Sequence, residues 1–503
     1  MSHSRRTCRH RIHVLTAVGA CLAAAPLHAQ VTPQSSTRRV ATYHVLPPVW
    51  GGTEWSDVST DLTFGLWNGL ATEKAYAAQV SDLSTPTITG AFEFEAALTN
   101  TGAPIGTFES ADSTLLSTFD VNQPSICTVS GSYSLHRYQT ATAFVDVTFG
   151  PATRPLFSFH ADTAVPVENY TVEGPVSGQF TLAAGRHVLN VAASGTANAV
   201  TSMVAGTGEG TLELSVRFEP DEAAIIDVPE DHPTIAAAIE AAVDFQMVRI
   251  APGTYFEHLV LGGKRLVIAS ASETEPVVLD GQGRGGSLLT ITGSQGAETL
   301  VRGLTFRNAG EGTRVPSIGA PAGGGVLVIN ARPRFLQCRF ESNHAALGGG
   351  LAIQGGGATL TECVFTHNSA LNGGAFRFAP DGFGDVLTLH GTTLTCNEAT
   401  TPGSALAVSG SLVPTITIVD GTICNNSPTP IAGINIAIDP STVLCGCPGD
   451  LDQDGVVDGA DLSLLIGAWG TSSPAADIDC SGTVRSEDLA QLLGAWGVVG
   501  TCD

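Results

Sequence analysis

Basic residues are scarce. Lys and Arg number 23 against 47 Asp and Glu, and with only 14% of residues charged the formal balance is −24. Nucleic acids and anionic membrane surfaces are held by basic patches, so neither is an expected partner. Beyond Pro26 no apolar stretch is long enough to cross a bilayer, so no transmembrane segment is expected. The cysteines never form two CxxC halves, which argues against structural zinc. Hard divalent cations are the natural counterpart of so acidic a chain.

What is present starts with Arg5, Arg6, Arg9 and Arg11, an apolar run from Val14 to about Pro26, and small residues ending at Ala29. This pattern predicts a signal peptide over residues 1–29 and a secreted or cell-surface protein. A chain of 503 residues exceeds one ordinary core, so several domains are expected. Export permits disulfides. Nine of eleven cysteines lie beyond the signal, and Cys445, Cys447, Cys480 and Cys502 crowd the C-terminal segment, where Cys447 with Cys502 would clasp its ends.

That segment carries the most specific motif. Asp450, Asp452, Asp454, Asp458 and Asp461 stand at positions 1, 3, 5, 9 and 12 of a calcium loop, with the Val456 carbonyl at 7 and Gly455 at the bend. A second loop follows 27 residues on, with Asp477, Asp479, Ser481, the Thr483 carbonyl, Arg485 at position 9 and Asp488. It is weaker, since Ser481 replaces a carboxylate and Arg485 brings a cation. Leu462, Leu465, Ile466 and Trp469, then Leu489, Leu492, Leu493 and Trp496, form one face of a helix behind each loop, a stripe for its twin. No entering helix precedes either loop, so these are half EF-hands. The duplicated pattern resembles the dockerin family, which implies calcium as cofactor and a cohesin-like module as partner for residues 445–503. A calcium-stabilised plug with no partner is the plainer alternative.

Residues 223–442 repeat differently. Cys338-x-Phe340-x-x-Asn343-x-Ala345 recurs 25 residues on as Cys363-x-Phe365-x-x-Asn368-x-Ala370, with looser copies at Leu394 and Asn397 and at Ile423 and Asn426. Glycine-led strands alternate with them, and such periods predict a solenoid. One coil of a right-handed parallel β-helix fits, with Phe340, Phe365, Leu394 and Ile423 as an internal ladder and the asparagines at a corner, where they tolerate a left-handed backbone and bond to the next coil. Cys338 and Cys363 would stack as buried thiols. The run Val228 to Ala242 predicts a helix that caps the open end. Together with Gly253-Thr-Tyr255, Leu279-Asp-Gly281 and Leu304-Thr-Phe306-Arg-Asn308 it resembles the pectin-lyase-like superfamily, while the later coils also resemble polymorphic outer-membrane protein repeats. Residues 30–222 alternate apolar and polar in short runs, which predicts a β-sandwich; Trp50, Trp55 and Trp67 read as core there more readily than as a sugar platform. The fold class is thus mainly β, with a small α-helical calcium module.

Catalysis has no clear carrier. Pectin methylesterases need aspartate where Ala345 stands, and the outward rows Leu327, Ala352, Arg377, Ala407 and Asn435, and Arg339, Val364, Thr393 and Thr422, hold no carboxylate. The insertion from Ala309 to Ala322 lengthens one coil and would frame a glycan cleft with Arg302, Glu311 and Arg314. Catalytic residues are unassigned. The sequence favours a carbohydrate-binding or structural β-helix; the alternative is a polysaccharide lyase or glycoside hydrolase acting on an acidic polysaccharide.

Overall fold

A computed structural model describes residues 31–497, apart from 46–53, 62–65, 73–74, 83–86, 99–107, 139–140, 152–154, 164–168, 199–205, 294–298, 317–318, 383, 411–413, 428, 434–435, 446–448, 453 and 455. Side chains of residues 31–112 are described at Phe92 alone. The expected signal at 1–29, Trp50, the side chains of Trp55 and Trp67, Asn435, Gly455, Cys447 and Cys502 therefore lie outside the described residues.

The N-terminal strands form two six-stranded antiparallel sheets. One is centred on Phe108–Val121 and Gly185–Asn198, the other on Gly206–Pro220 and Thr87–Leu98. Alternation decides which side chains face inward. In Thr142–Gly150 every second residue is buried, as period-two patterning requires of a strand with one wet face. The inward residues of both sheets meet in one core, where the Phe149 ring stands edge-on to Phe180 and Phe218 at 5.9 Å each.

From Ile225 to Leu444 the chain winds as a parallel β-helix. Each coil contributes short strands to long parallel sheets, so that Phe340 pairs with Phe365, Phe365 with Leu394, and Leu394 with Ile423. The ladder is fully buried, and the Phe340 and Phe365 rings lie 4.2 Å apart and nearly parallel. A second ladder runs beside it. The Nδ2 of Asn343 donates to Asn368 Oδ1 (3.0 Å), Asn368 to Asn397 (3.0 Å) and Asn397 to Asn426 (2.9 Å), and each Nδ2 also reaches a backbone carbonyl of the preceding coil. These buried amides are satisfied along the stack, which is what a polar row inside an apolar solenoid requires.

The left-handed corner sits one residue earlier than the sequence suggests. Ser342, His367, Cys396 and Asn425 have φ between 52° and 57°, while the ladder asparagines do not. The bend falls on the preceding residue because it turns the asparagine amide inward. Cys338 and Cys363 are buried free thiols, as expected, with Cys338 Sγ 3.4 Å from the Val301 carbonyl. The end cap is shorter than the sequence suggested: Ile225–Val228 is already a strand, and helix α1 spans Ile235–Ala241. Thr234 caps its start, Glu257 accepts from the Ile235 and Ala236 amides, and the Lys264 ammonium binds the Ile239, Glu240 and Ala242 carbonyls at its end.

The insertion at 309–322 folds as an antiparallel hairpin, Thr313–Val315 with Ala320–Ala322, that lies flat on the solenoid. Val315 and Ala322 bury the outward Leu327 and Ala352. Gly312 is required there: a Cβ on it would stand 2.7 Å from the Ala322 carbonyl oxygen and 3.2 Å from Ala345 Cβ. Among the described residues no helix is long and apolar enough to cross a membrane.

Candidate functional site

After Gly449 come two loop-helix units, with helices α2 (Gly459–Gly467) and α3 (Ser486–Gly494). Their core is Val457, Leu465, Ile478, Val484 and Leu492. Two matching backbone bonds cross it, Gly470 N–H to the Val484 carbonyl and Gly497 N–H to the Val457 carbonyl, both 2.9 Å. Only half of each apolar stripe enters this core. Leu465 and Leu492 are buried, whereas Ile466, Trp469, Leu493 and Trp496 remain about half exposed, because a helix of nine residues cannot bury a face wider than its small partner.

In the first loop the carboxylates of Asp450, Asp452 and Asp454 converge, with one oxygen of each within 4.8 Å of the others. Asp461 is buried behind them. Its Oδ1 accepts from the Leu451 (2.6 Å) and Asp452 (3.1 Å) amides and its Oδ2 from Asp458 N–H (2.7 Å), while Asp458 Oδ1 caps α2 through Ala460 N–H (2.8 Å). Val456 N–H donates to Asp454 Oδ1 (2.9 Å). Charge crowding acts most plainly on Asp452. Although the Asp454 N–H holds Asp452 down, desolvation and the charges of Asp454, Asp461 and Asp450 outweigh it and raise its carboxyl above the usual range. Burial would raise Asp461, but the Asp458, Asp452 and Leu451 amides hold it below.

In the second loop it is Asp477, Asp479 and Asp488 that converge within 4.8 Å. The Asp488 carboxylate takes the Asp479 and Arg485 amides (2.8 Å each), and Ser481 lies between Asp477 and the Thr483 carbonyl, to which its hydroxyl donates at 3.2 Å. Arg485 does compete for a ligand: its Nη2 stands 3.4 Å from Asp479 Oδ2, and its Nε 3.2 Å from Glu487. Burial raises the Asp477 carboxyl despite its bonds from Gly482 and Ser481.

This second loop is built onto the solenoid, through contacts that no local spacing of residues foretells. Cys480 is bonded to Cys396, and Cys424 to Cys445. His367 Nε2 meets the Cys480 carbonyl at 2.7 Å, and Asn425 Nδ2 donates to the carbonyls of Pro474 (3.0 Å) and Asp477 (2.8 Å). His367, Cys396 and Asn425 are the left-handed corner residues of three successive coils. Each bend throws its side chain outward just as it turns the next asparagine inward, and the outward row clasps the loop.

The donors of both loops are oxygens only. Alternate carboxylates, a serine hydroxyl and carbonyls on a tight loop suit calcium and offer nothing to a soft metal. Asp450, Asp452, Asp454, the Val456 carbonyl, Asp458 and Asp461 would hold one ion, and Asp477, Asp479, Ser481, the Thr483 carbonyl and Asp488 another.

The residues assigned to a glycan cleft do not meet. Glu311 and Arg314 are exposed on the hairpin side, whereas Arg302 is buried on another face, beside a cavity that neither of them lines. Other carboxylates of the solenoid have local duties: Asp280 pairs with Arg307 at 2.8 Å, Glu341 with Arg339 at 2.7 Å, and Asp385 with the Asp381 and Gly382 amides at 3.0 Å. Ala345 is sealed under Gly312.

No family model matches the chain, and no curated protein matches it. Among solved structures it is similar to pectin methylesterase PemA from Erwinia chrysanthemi, at 15% identity and a TM-score of 0.24, over 40% of this chain and 65% of that one. The chain thus spans about two thirds of that protein's length, and a likeness so distant carries no argument.

Proposed function

We propose that the protein is an exported calcium-binding protein in which a β-sandwich and a right-handed, pectin-lyase-like β-helix bind or scaffold carbohydrate, and a dockerin-like module joins them to a cohesin-like partner. The observation that carries this reading is the convergence of three carboxylates in each of two loops, Asp450, Asp452 and Asp454 in one and Asp477, Asp479 and Asp488 in the other. Converging like charges are costly without a cation, and Asp452 already feels that cost. Ile466, Trp469, Leu493 and Trp496 leave an apolar surface on the two helices, which supports a protein partner over a plug that ends in solvent. The first loop, with five carboxylates, is the stronger site. Calorimetric calcium titration of the mature chain tests the reading: two oxygen-loop sites, the tighter one lost on Asp450→Ala, are expected. A chain whose melting is indifferent to both calcium and a chelator would end it.

Lyase or hydrolase activity is the second reading, supported only by a polar cavity on the solenoid. Release of reducing ends or double bonds from uronic-acid polymers would replace the first reading by it.

A further inference from the structure

The two ends of the solenoid are finished differently. At the first, helix α1 lies over the open coil, with Ile235, Ala238 and Ile239 buried in the same core as the strands beneath. At the other, the stack stops on three strands, Ile431–Ala432, Ile436–Ile438 and Val443–Leu444, one in each of three sheets, and among the described residues each is paired on one side only. The inward register runs on to this end. Ile431 stands under Leu406, Ile436 and Ile438 under Ile416 and Ile418, and Leu444 under Ile423. The four upper residues are fully buried, whereas Ile431, Ile436 and Ile438 are half-buried and Leu444 is 39% exposed. The last coil therefore opens its aliphatic interior to water in cross-section.

Backbone groups are left over with it. The Val443 and Cys445 N–H groups bond to the Gly421 (2.8 Å) and Ile423 (3.0 Å) carbonyls of the coil above, and Asp439 N–H to Ile418 (2.8 Å). Alternation along a parallel strand then turns the groups of Leu444 and Ile438 to the free edge. Exposed edges are normally blunted by charge or by a covering element. Here Asp439 is the one charged residue between Ser427 and Cys445, its carboxylate is taken by the Ser441 amide (2.9 Å) and hydroxyl (2.7 Å), and Pro430 and Pro440 lie between the strands rather than in them. The covering pieces are elsewhere. The N-terminal sheets touch the early coils at Met247, Val267 and Leu300, and the C-terminal module is clasped at the side, on His367, Cys396 and Asn425. Residues 446–448, which lead into that module, reach about 10 Å at most, too little to turn back across a coil.

We propose that this open end docks a second copy of the chain, end to end, about a twofold axis across the solenoid. A partner for it must offer three strand edges set around an aliphatic centre, and a second such end has that arrangement. The twofold turns the strands antiparallel, so that one strand meets its own copy and the other two exchange partners. Ile431, Ile436, Ile438 and Leu444 of both copies then share one interior. Because α1 occupies the opposite end, head-to-tail growth is blocked, and the contact is isologous and closes at two copies.

The test is sedimentation and light scattering of the mature chain, disulfides intact, from about 1 to about 100 μM, a span of affinities that a small transient interface covers. A dimer is expected, with or without a calcium chelator. Leu444→Lys should weaken it at least about tenfold, since an edge lysine is the natural block to strand pairing, and should leave the monomer folded because the side chain reaches water. Thr415→Lys, one coil back on an exposed outward position, should leave the dimer unchanged. Hydrogen exchange of the unaltered chain reads the same contact without a substitution: the Ile438 and Leu444 amides should slow as concentration rises through the association. A monomer throughout the range, or assembly beyond two copies, overturns the proposal. So does a folded Leu444→Lys chain that dimerises with unchanged affinity, or exchange at Ile438 and Leu444 that ignores concentration. A dimer that the chelator dissolves would place the contact on the C-terminal module and overturn it as well.

Discussion

The two acidic loops of the C-terminal module were built from one pattern and are held in different ways. In the first, five aspartates would supply the ligands, and the bonds described around them run within the loop itself. In the second, three aspartates would do so, one of them shared with Arg485, and order comes from the solenoid through Cys396, His367 and Asn425. Ligand charge and preorganisation are separate routes to a cation site. On the proposed reading the first loop would take the former route and the second the latter, so the weaker motif would report on the state of the β-helix.

Breaking the solenoid should separate the loops most. Phe365→Ala removes one rung of the stacked ladder and should cost roughly 3–5 kcal/mol. The calcium step of the second loop should weaken with it and that of the first should not, as read by calorimetry. Equal weakening of both would mean that the module folds as one unit, indifferent to its anchor.

Opening the Cys396–Cys480 bridge, by Cys480→Ser, releases a closure across 84 residues and should cost about 2–4 kcal/mol. Hydrogen exchange should rise around Asp477 to Asp488 and stay unchanged around Asp450 to Asp461. Uniform protection in the reduced chain would show the clasp to be ornamental.

Calcium itself comes next. At about a hundredfold excess over its dissociation constant an ion stabilises by roughly 2.7 kcal/mol. Asp450→Ala with Asp454→Ala should remove most of the calcium-induced rise in Tm, and Asp477→Ala a smaller share. If the second loop's loss is the larger, preorganisation outweighs ligand charge here, and the ranking reverses.

Asn425→Ala should have the smallest effect. It deletes two hydrogen bonds to loop carbonyls, worth about 1 kcal/mol each at most in net terms, and places alanine at φ 52°, which asparagine tolerates better. Second-loop calcium affinity measured against Asn426→Ala would sharpen the comparison, because Asn426 belongs to the inward ladder and serves the stack instead.

How much of this was legible follows from the range of the interactions. A solenoid coil repeats its neighbour at short offset, so Phe340, Phe365, Leu394 and Ile423 could be aligned from the sequence, and the structure pairs them in that register. The acidic loops were legible as a pattern for the same reason: their carboxylates alternate within a dozen residues, and the structure brings those of Asp450, Asp452 and Asp454 together. The left-handed corner was misplaced by one residue, since a turn's sequence preference names asparagine while the stack's hydrogen bonding takes that asparagine for the interior.

Sequence alone thus settled what nearest neighbours dictate: alternating strands, stacked rungs and oxygen donors on a short loop. Tertiary structure alone decided where unlike pieces meet. That the second loop rests on His367, Cys396 and Asn425, that the 309–322 hairpin lies flat over Leu327 and Ala352, and that Arg302 faces a cavity edged by Asn122 are contacts between segments with no common period. Such contacts depend on surface shape and on which exposed apolar area remains to be covered once each piece has folded, and no local spacing of residues encodes them.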